Sequence, residues 1–264
     1  RTFRAEFVRV TLAPKLVRSV VSAARTGGAK SANSVKKNVR TNEKGDVWID
    51  GVPMTDQGSK GYCAAATSER VLRYFGTSVD EHDIAQIAGT TAGGGTSQAA
   101  MAEAVARIGD KYGLRKEDLV GDARGGGTWE KSEFYKMLQA YNSAAKKMRR
   151  PVIDWHAYEQ NHVIDVGGMM AAMDPKVLKE GKVKQTGAYK CFRDGVRKFV
   201  KAGVPLFWGV TLGIYPEPEI PQANGGHMRL IIGYNDKRRE ILYTDSWGVG
   251  HELKRMPEDW AWTV

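Results

Sequence analysis

Two hydrophobic periods alternate along the chain, and the switches between them outline its elements. Phe3, Ala5 and Phe7 fall on every second position and predict a strand over residues 3–10. Leu16, Val17, Val20, Val21 and Ala24 recur at helical spacing and predict a helix over residues 13–24. Residues 26–45 are polar, basic and contain Gly, Ser and Asn, which predicts a linker. Residues 46–54 read as a short strand, and a run rich in Ala, Leu, Arg and Glu from Cys63 to Phe75, closed by Gly76, predicts a helix. Ser78 and Glu81 have capping-box spacing for a brief helix ending near Gly89, and Thr96 or Ser97 caps another through Met101, Val105 and Ile108. Residues 129–148 carry a firm amphipathic pattern, with Phe134, Met137, Leu138, Tyr141, Ala144, Ala145 and Met148 on one face. A short helix over 174–181, with Pro175 at its first position, and a helix over 192–201 closed by Gly203 follow. Residues 205–212 form an apolar strand, 213–226 a long proline-rich loop, and 228–234 with 240–245 a hairpin.

The candidate chemistry gathers at two places. In Gln57-Gly-Ser-Lys-Gly-Tyr-Cys63, Gly58 and Gly61 make a turn, and Cys63 opens the predicted helix. The first turn of a helix has unpaired N–H groups and the positive end of the macrodipole, so it favours the thiolate, the reactive form of cysteine. Gln57 lies six residues upstream, across the turn, where its amide can fold back beside the sulfur. The missing base is supplied far downstream by His227, just before the first strand of the hairpin, and Asp245 ends the second. Eighteen residues separate the pair in sequence, but a strand-turn-strand returns Asp245 to the end that holds His227.

Gln57, Cys63, His227 and Asp245-Ser-Trp-Gly248, in that order and at these spacings, resemble the papain-like cysteine peptidases, most nearly the compact bacterial branch of staphopains and bacteriocin-leader peptidases. The resemblance covers residues 47–264, with its specificity in the two motif regions. It implies an α+β papain-like fold of two lobes, helical and antiparallel β, with the site in the cleft between. It implies Cys63 as nucleophile, His227 as proton carrier, Asp245 as the residue orienting the ring, and the Cys63 N–H with Gln57 as oxyanion donors. Trp247 would cover the His–Asp contact. The glycine segment with Gly94 and Gly95 would border the cleft and pair with an extended peptide, and Tyr62, Trp208 and Gly226 would line it. Two departures stand out. Lys60-Gly-Tyr-Cys63-Ala64 lacks the family's usual disulfide cysteine and following aromatic, and Asp245 stands where Asn is usual. The same triad also serves acyltransferases and transglutaminases, and a non-catalytic peptide-binding module can keep the fold.

Charge alters the picture less than its total of +10 suggests. Residues 1–46 carry eleven Lys/Arg against three Asp/Glu, whereas the rest of the chain carries twenty-nine against twenty-seven. The nearly neutral body argues against nucleic acid as a partner and leaves a peptide or protein substrate. Residues 1–46 read as a basic arm, an accessory element or the remnant of a pro-segment, and 47–264 as the catalytic domain. As an accessory element, residues 1–45 can be removed without loss of activity. No apolar run is long enough to span a bilayer. Gly93, Gly94 and Gly95 lack the Gly-Lys-Ser/Thr of a phosphate loop, and Asp154, His156, His162 and Asp165 lack a cysteine partner for a metal, so neither a cofactor nor a metal is expected. Cys63 and Cys191 make no disulfide framework; Cys191 is expected as a free core thiol. The chain begins at Arg1, which fits a lost leader, and a secreted or periplasmic location is expected over a cytoplasmic one. Oligomeric state is left open.

Overall fold

The computed structural model describes residues 10–12, 15–16, 32–58, 61–77, 82, 84–85, 103, 114–115, 128–160, 163–218, 220 and 225–264. The strands in chain order are β1 (Val10–Leu12), β2 (Lys15–Leu16), β3 (Val39–Thr41), β4 (Asp46–Ile49), β5 (Leu114–Arg115), β6 (Glu159–Gln160), β7 (Val163–Ile164), β8 (Leu206–Leu212), β9 (Gly225–Asn235), β10 (Glu240–Thr244) and β11 (Lys254–Pro257). The α-helices are α1 (Ala32–Lys36), α2 (Cys63–Tyr74), α3 (Glu133–Lys147), α4 (Val166–Ala172), α5 (Pro175–Val183), α6 (Thr186–Lys201) and α7 (Glu258–Thr263). The glycine segment with Gly94 and Gly95, and His162, lie outside the described residues. So do most of the strand expected over 3–10 and of the helices expected over 78–89 and 96–108.

Helices and an antiparallel sheet together make an α+β arrangement. Among the described residues one sheet runs β1-β8-β9-β10-β11, with β4 also on β9 and β3 on β4, every pairing antiparallel. β9 is the central strand. β10 takes one edge from Leu230 to Asn235, while β8 and β4 share the other. Leu230, Ile231 and Ile232 are all buried, because α2 and α6 pack on β9 and cover the sheet. A continuous apolar run is what a strand covered on both faces requires. Each such side chain taken from water contributes about 1.5–3 kcal/mol.

The helices begin and end where their caps dictate. Ser132 accepts the Tyr135 N–H and opens α3, whose Phe134, Leu138, Tyr141 and Ala145 are buried. Met148, expected on that buried face, is 40% exposed, because it lies at the cap beyond the last helical turn. Asp174 caps α5, with Pro175 in the first turn. Gly203 ends α6 at φ +76°, and a Cβ there would stand 2.3 Å from the Val35 carbonyl oxygen. No Cβ tolerates that approach, so glycine is required.

The same corner corrects the linker expected over 26–45. Its described part folds as α1 and β3, Val35 is wholly buried, and the Tyr74 hydroxyl donates to the Gly203 carbonyl while accepting from Asn38. β3 pairs with β4, so the boundary expected between residues 46 and 47 falls inside a hairpin. Arg255 grips both Asp46 oxygens, at 2.8 and 2.7 Å, and ties β4 to β11. That hydrogen-bonded guanidinium, with Asn235 and Asn42, holds the Asp46 carboxyl far below the usual carboxylate range against the opposing effect of burial. Of the helix expected over 13–24 only Lys15 and Leu16 are described, and these two pair as a strand with Arg115 and Leu114. Local periodicity yields there to a partner distant in sequence. Cys191, expected in the core, is exposed on α6, whose buried face carries Phe192, Val196 and Phe199. β11 and α7, with no counterpart in the periodicity reading, close the chain over Trp262 and a buried Glu258 held by Arg197. No described helix is long and apolar enough to cross a membrane.

Residues 32–45 therefore belong to the folded body. Val35→Ala is expected to lower unfolding stability by roughly 1–3 kcal/mol, read from the urea midpoint. Deletion of residues 1–45 is expected to lower it further; an unchanged midpoint on deletion would restore the linker.

Candidate active site

The sequence carries glycines where the chain must reverse before α2. Gly58 and Gly61 adopt φ +59° and +67°, and Cys63 follows as the first residue of the helix. The approach is laid along the segment after β10: Asp56 bridges Trp247, and the Gln57 N–H donates to the Ser246 carbonyl at 2.8 Å. Gly248, at φ +79°, has room because its missing Cβ would meet Asp56 Oδ2 at 3.0 Å.

His227 sits near the start of β9, opposite Val210, and Asp245 directly follows β10. His227 Nε2 meets Asp245 Oδ1 at 2.6 Å. The ring also hydrogen-bonds the Cys63 thiol, for which Nδ1 is the nitrogen left. β10 pairs with β9 only as far as Leu230, and beyond it the Met228 backbone turns to α2. Its N–H donates to the Cys63 sulfur, and its carbonyl accepts from Thr67 Oγ1 at 3.2 Å, one turn along the helix. The strand that holds the imidazole thus also seats the helix that holds the thiol. Asp245 is wholly buried, His227 is 6% exposed and Cys63 is half-buried.

Burial alone raises a thiol's pKa. At Cys63 that effect is outweighed by the hydrogen bond and charge of His227 and by the Met228 and Ala64 N–H groups, so the thiol lies below its ordinary value. Burial alone lowers an imidazole's pKa; hydrogen bonds and charges from Asp245 and Cys63 reverse this and push His227 up to about 9. Asp245 would be raised by its burial, but His227, Arg229 and the Ser246 N–H hold it below the ordinary carboxylate value. The balance favours thiolate, imidazolium and carboxylate in a row. A thiolate beside an imidazolium is a nucleophile next to a proton donor, the pair that acyl transfer from an amide needs.

Three further side chains complete the arrangement. Arg70 on α2 is buried; its Nε donates to the Pro53 carbonyl at 2.7 Å and its Nη1 to the Asp245 carbonyl at 2.8 Å. Arg229 on β9 donates from Nε to Asp245 Oδ2 at 2.7 Å. Thr67 adds a 3.2 Å contact to Ser246 Oγ. Sequence reasoning passed over all three, although signals existed. Thr67 and Arg70 lie four and seven positions after Cys63, on one helix face, and Arg229 is a lone charge in the apolar run from Met228 to Ile232.

Trp247 is stacked on the His227 ring, with centroids 4.3 Å apart and planes 7° off parallel. Gln57 is buried, and its Oε1 has no hydrogen-bond partner among the described residues. Tyr62 is half-buried immediately before Cys63, its ring edge-on to His82. Gly226 is exposed on β9 next to His227. Trp208, expected to line the cleft, is corrected: it is wholly buried in the core against Tyr243, because both faces of β8 are covered from Leu206 to Val210. His156 pairs with Asp154 at the surface, and Asp165 caps α4. Among the described residues no group of three or more His, Cys, Asp or Glu could hold a metal ion. Comparison with protein-family models, with curated proteins and with solved structures returns no match.

The shifts set a pH window. Thiolate forms as pH rises through the lowered Cys63 value, and the imidazolium is lost as pH rises through about 9. Iodoacetamide at about pH 6 is therefore expected to alkylate Cys63 much faster than a free thiol. In His227→Ala only the Met228 and Ala64 N–H groups still oppose burial, and the rate at that pH is expected to fall roughly tenfold or more. Equal rates in the two proteins would contradict the ion pair.

Proposed function

We propose that this chain is a papain-like cysteine peptidase that hydrolyses peptide or isopeptide bonds of a peptide or protein substrate through a thioester. The observation that carries the reading is the His227 ring, which hydrogen-bonds the Cys63 thiol and, through Nε2, a wholly buried Asp245 carboxylate. On this reading α2 and its helical neighbours form one lobe, the strands that carry His227 and Asp245 form the other, and the substrate lies where they meet.

The Cys63 thiolate attacks the carbonyl carbon, and the oxygen takes up negative charge beside the Cys63 N–H and the Gln57 amide. Cys63 opens α2, and N–H groups of a first helical turn have no partner within the helix. His227 passes its proton to the leaving nitrogen, the C–N bond breaks and a thioester remains. Neutral His227 then takes a proton from water, the hydroxide adds to the thioester carbonyl, and the C–S bond breaks to restore thiolate and imidazolium. Asp245 holds the ring so that Nδ1 faces sulfur throughout. Trp247, stacked on the ring, keeps water from the His–Asp contact.

Cys63→Ala is expected to abolish turnover and leave unfolding unchanged; hydrolysis that persists would remove the assignment. Gln57→Ala is expected to lower kcat by about 10²–10³ while sparing alkylation of the thiol. Equal loss of both would give Gln57 a structural role instead.

A further inference from the structure

Behind Asp245 the row of charges continues. Arg229 is 1% exposed and spends Nε on Asp245 Oδ2 and Nη1 on both Glu217 oxygens, at 3.0 and 2.9 Å. Glu217 comes from the proline-rich stretch before β9, and the Tyr243 hydroxyl on β10 donates to it. The guanidinium also lies 4.9 Å from the Tyr243 ring centre and 5.9 Å from that of Trp247. Charges therefore alternate from sulfur inward: Cys63, His227, Asp245, Arg229, Glu217.

We propose that Arg229 and Glu217 are positioning residues for the reaction: Arg229 fixes Asp245 with Oδ1 turned to His227, and Glu217 sets how much of the Arg229 charge Asp245 feels. This rests on the peptidase reading for its purpose, but not for its geometry. A neutral amide at position 245 would need no such cation. A wholly buried carboxylate has a second oxygen that must be paired, and Arg229 Nε pairs Oδ2 so that Oδ1 is left to His227. The fork of Arg229 suits the task, since one plane serves a carboxylate on each side.

The other groups facing this row leave its logic intact. Arg70 from α2 hydrogen-bonds the Asp245 backbone carbonyl and the Thr244 hydroxyl rather than the carboxylate, and feels the charge of Asp245 first, then those of Glu252 and Glu69; it is present in every variant compared below. His251 contributes its carbonyl to the Asp245 N–H, and Tyr243 is held neutral by burial. Cys63 hydrogen-bonds the His227 ring.

The test is a pair of variants whose effects have opposite signs. In Arg229→Gln the negative charge of Asp245 is uncompensated, so the imidazolium is held more tightly. Its titration, followed by nitrogen NMR of the His227 ring, is expected to move up by about one pH unit. In Glu217→Gln the Arg229 charge is less neutralised, and the same titration is expected to move down by a few tenths of a unit. Both variants are expected to lower kcat more than they raise KM. Arg229→Lys, which keeps the cation without the fork, is expected to restore the titration but not the rate. Should Arg229→Gln unfold, Glu217→Gln carries the test alone, with a downward shift required. Shifts in the same direction, or none, would reduce both residues to packing. The NMR readout needs no substrate, so absent hydrolysis with opposed shifts would sink the peptidase reading and leave the charge coupling in place.

Discussion

A protonated imidazole in a dry interior needs an anion on each side, and His227 has both. Moving a single ion from water into a protein interior costs several kcal/mol, which Coulomb attraction offsets only at hydrogen-bonding distance and in good geometry. The 2.6 Å contact to Asp245 and the hydrogen bond to Cys63 meet that condition. Asp245 in turn is compensated by Arg229, and Arg229 by Glu217. Each of these charges is paired with the next, and this interdependence is what specifies the geometry.

The fold brings these groups together by letting one strand serve two partners. β9 pairs with β10 up to Leu230 and then offers the Met228 backbone to α2. Thr67 and Arg70 fasten the helix to the segment after β10, so thiol, imidazole and carboxylate cannot shift independently. Arg70 is largely desolvated, which lowers its pKa to about 10 while leaving it charged at neutral pH. Its bonds to carbonyls and a hydroxyl place that charge where it braces the Asp245 backbone without competing with His227 for the carboxylate.

The hairpin carrying His227 and Asp245 was legible because its apolar runs flank a polar turn, and α2 because glycines precede its start. The firm stripe of α3 was legible for the same reason: contacts three and four residues apart are written into neighbouring sequence. What escaped depends on partners far away. α1 and β3 look like a linker until Tyr74, Gly203 and β4 take up their polar and apolar groups. Trp208 could not be told from a cleft residue, because an apolar run does not say what covers each position, and only the fold shows that every residue from Leu206 to Val210 is buried. Arg229 shows as an anomaly in an apolar run, but only the register of β9 beside β10 reveals the carboxylate it meets.

The charge state of the Cys63 sulfur is the most direct witness. Ultraviolet difference absorbance between the protein and Cys63→Ser, followed across pH, isolates its thiolate from that of exposed Cys191. The account predicts a thiolate signal that appears at lower pH than that of an ordinary thiol and is retained as pH rises through about 9 and the imidazolium is lost. A signal that appears only as pH approaches 9, as for an ordinary thiol, would contradict it.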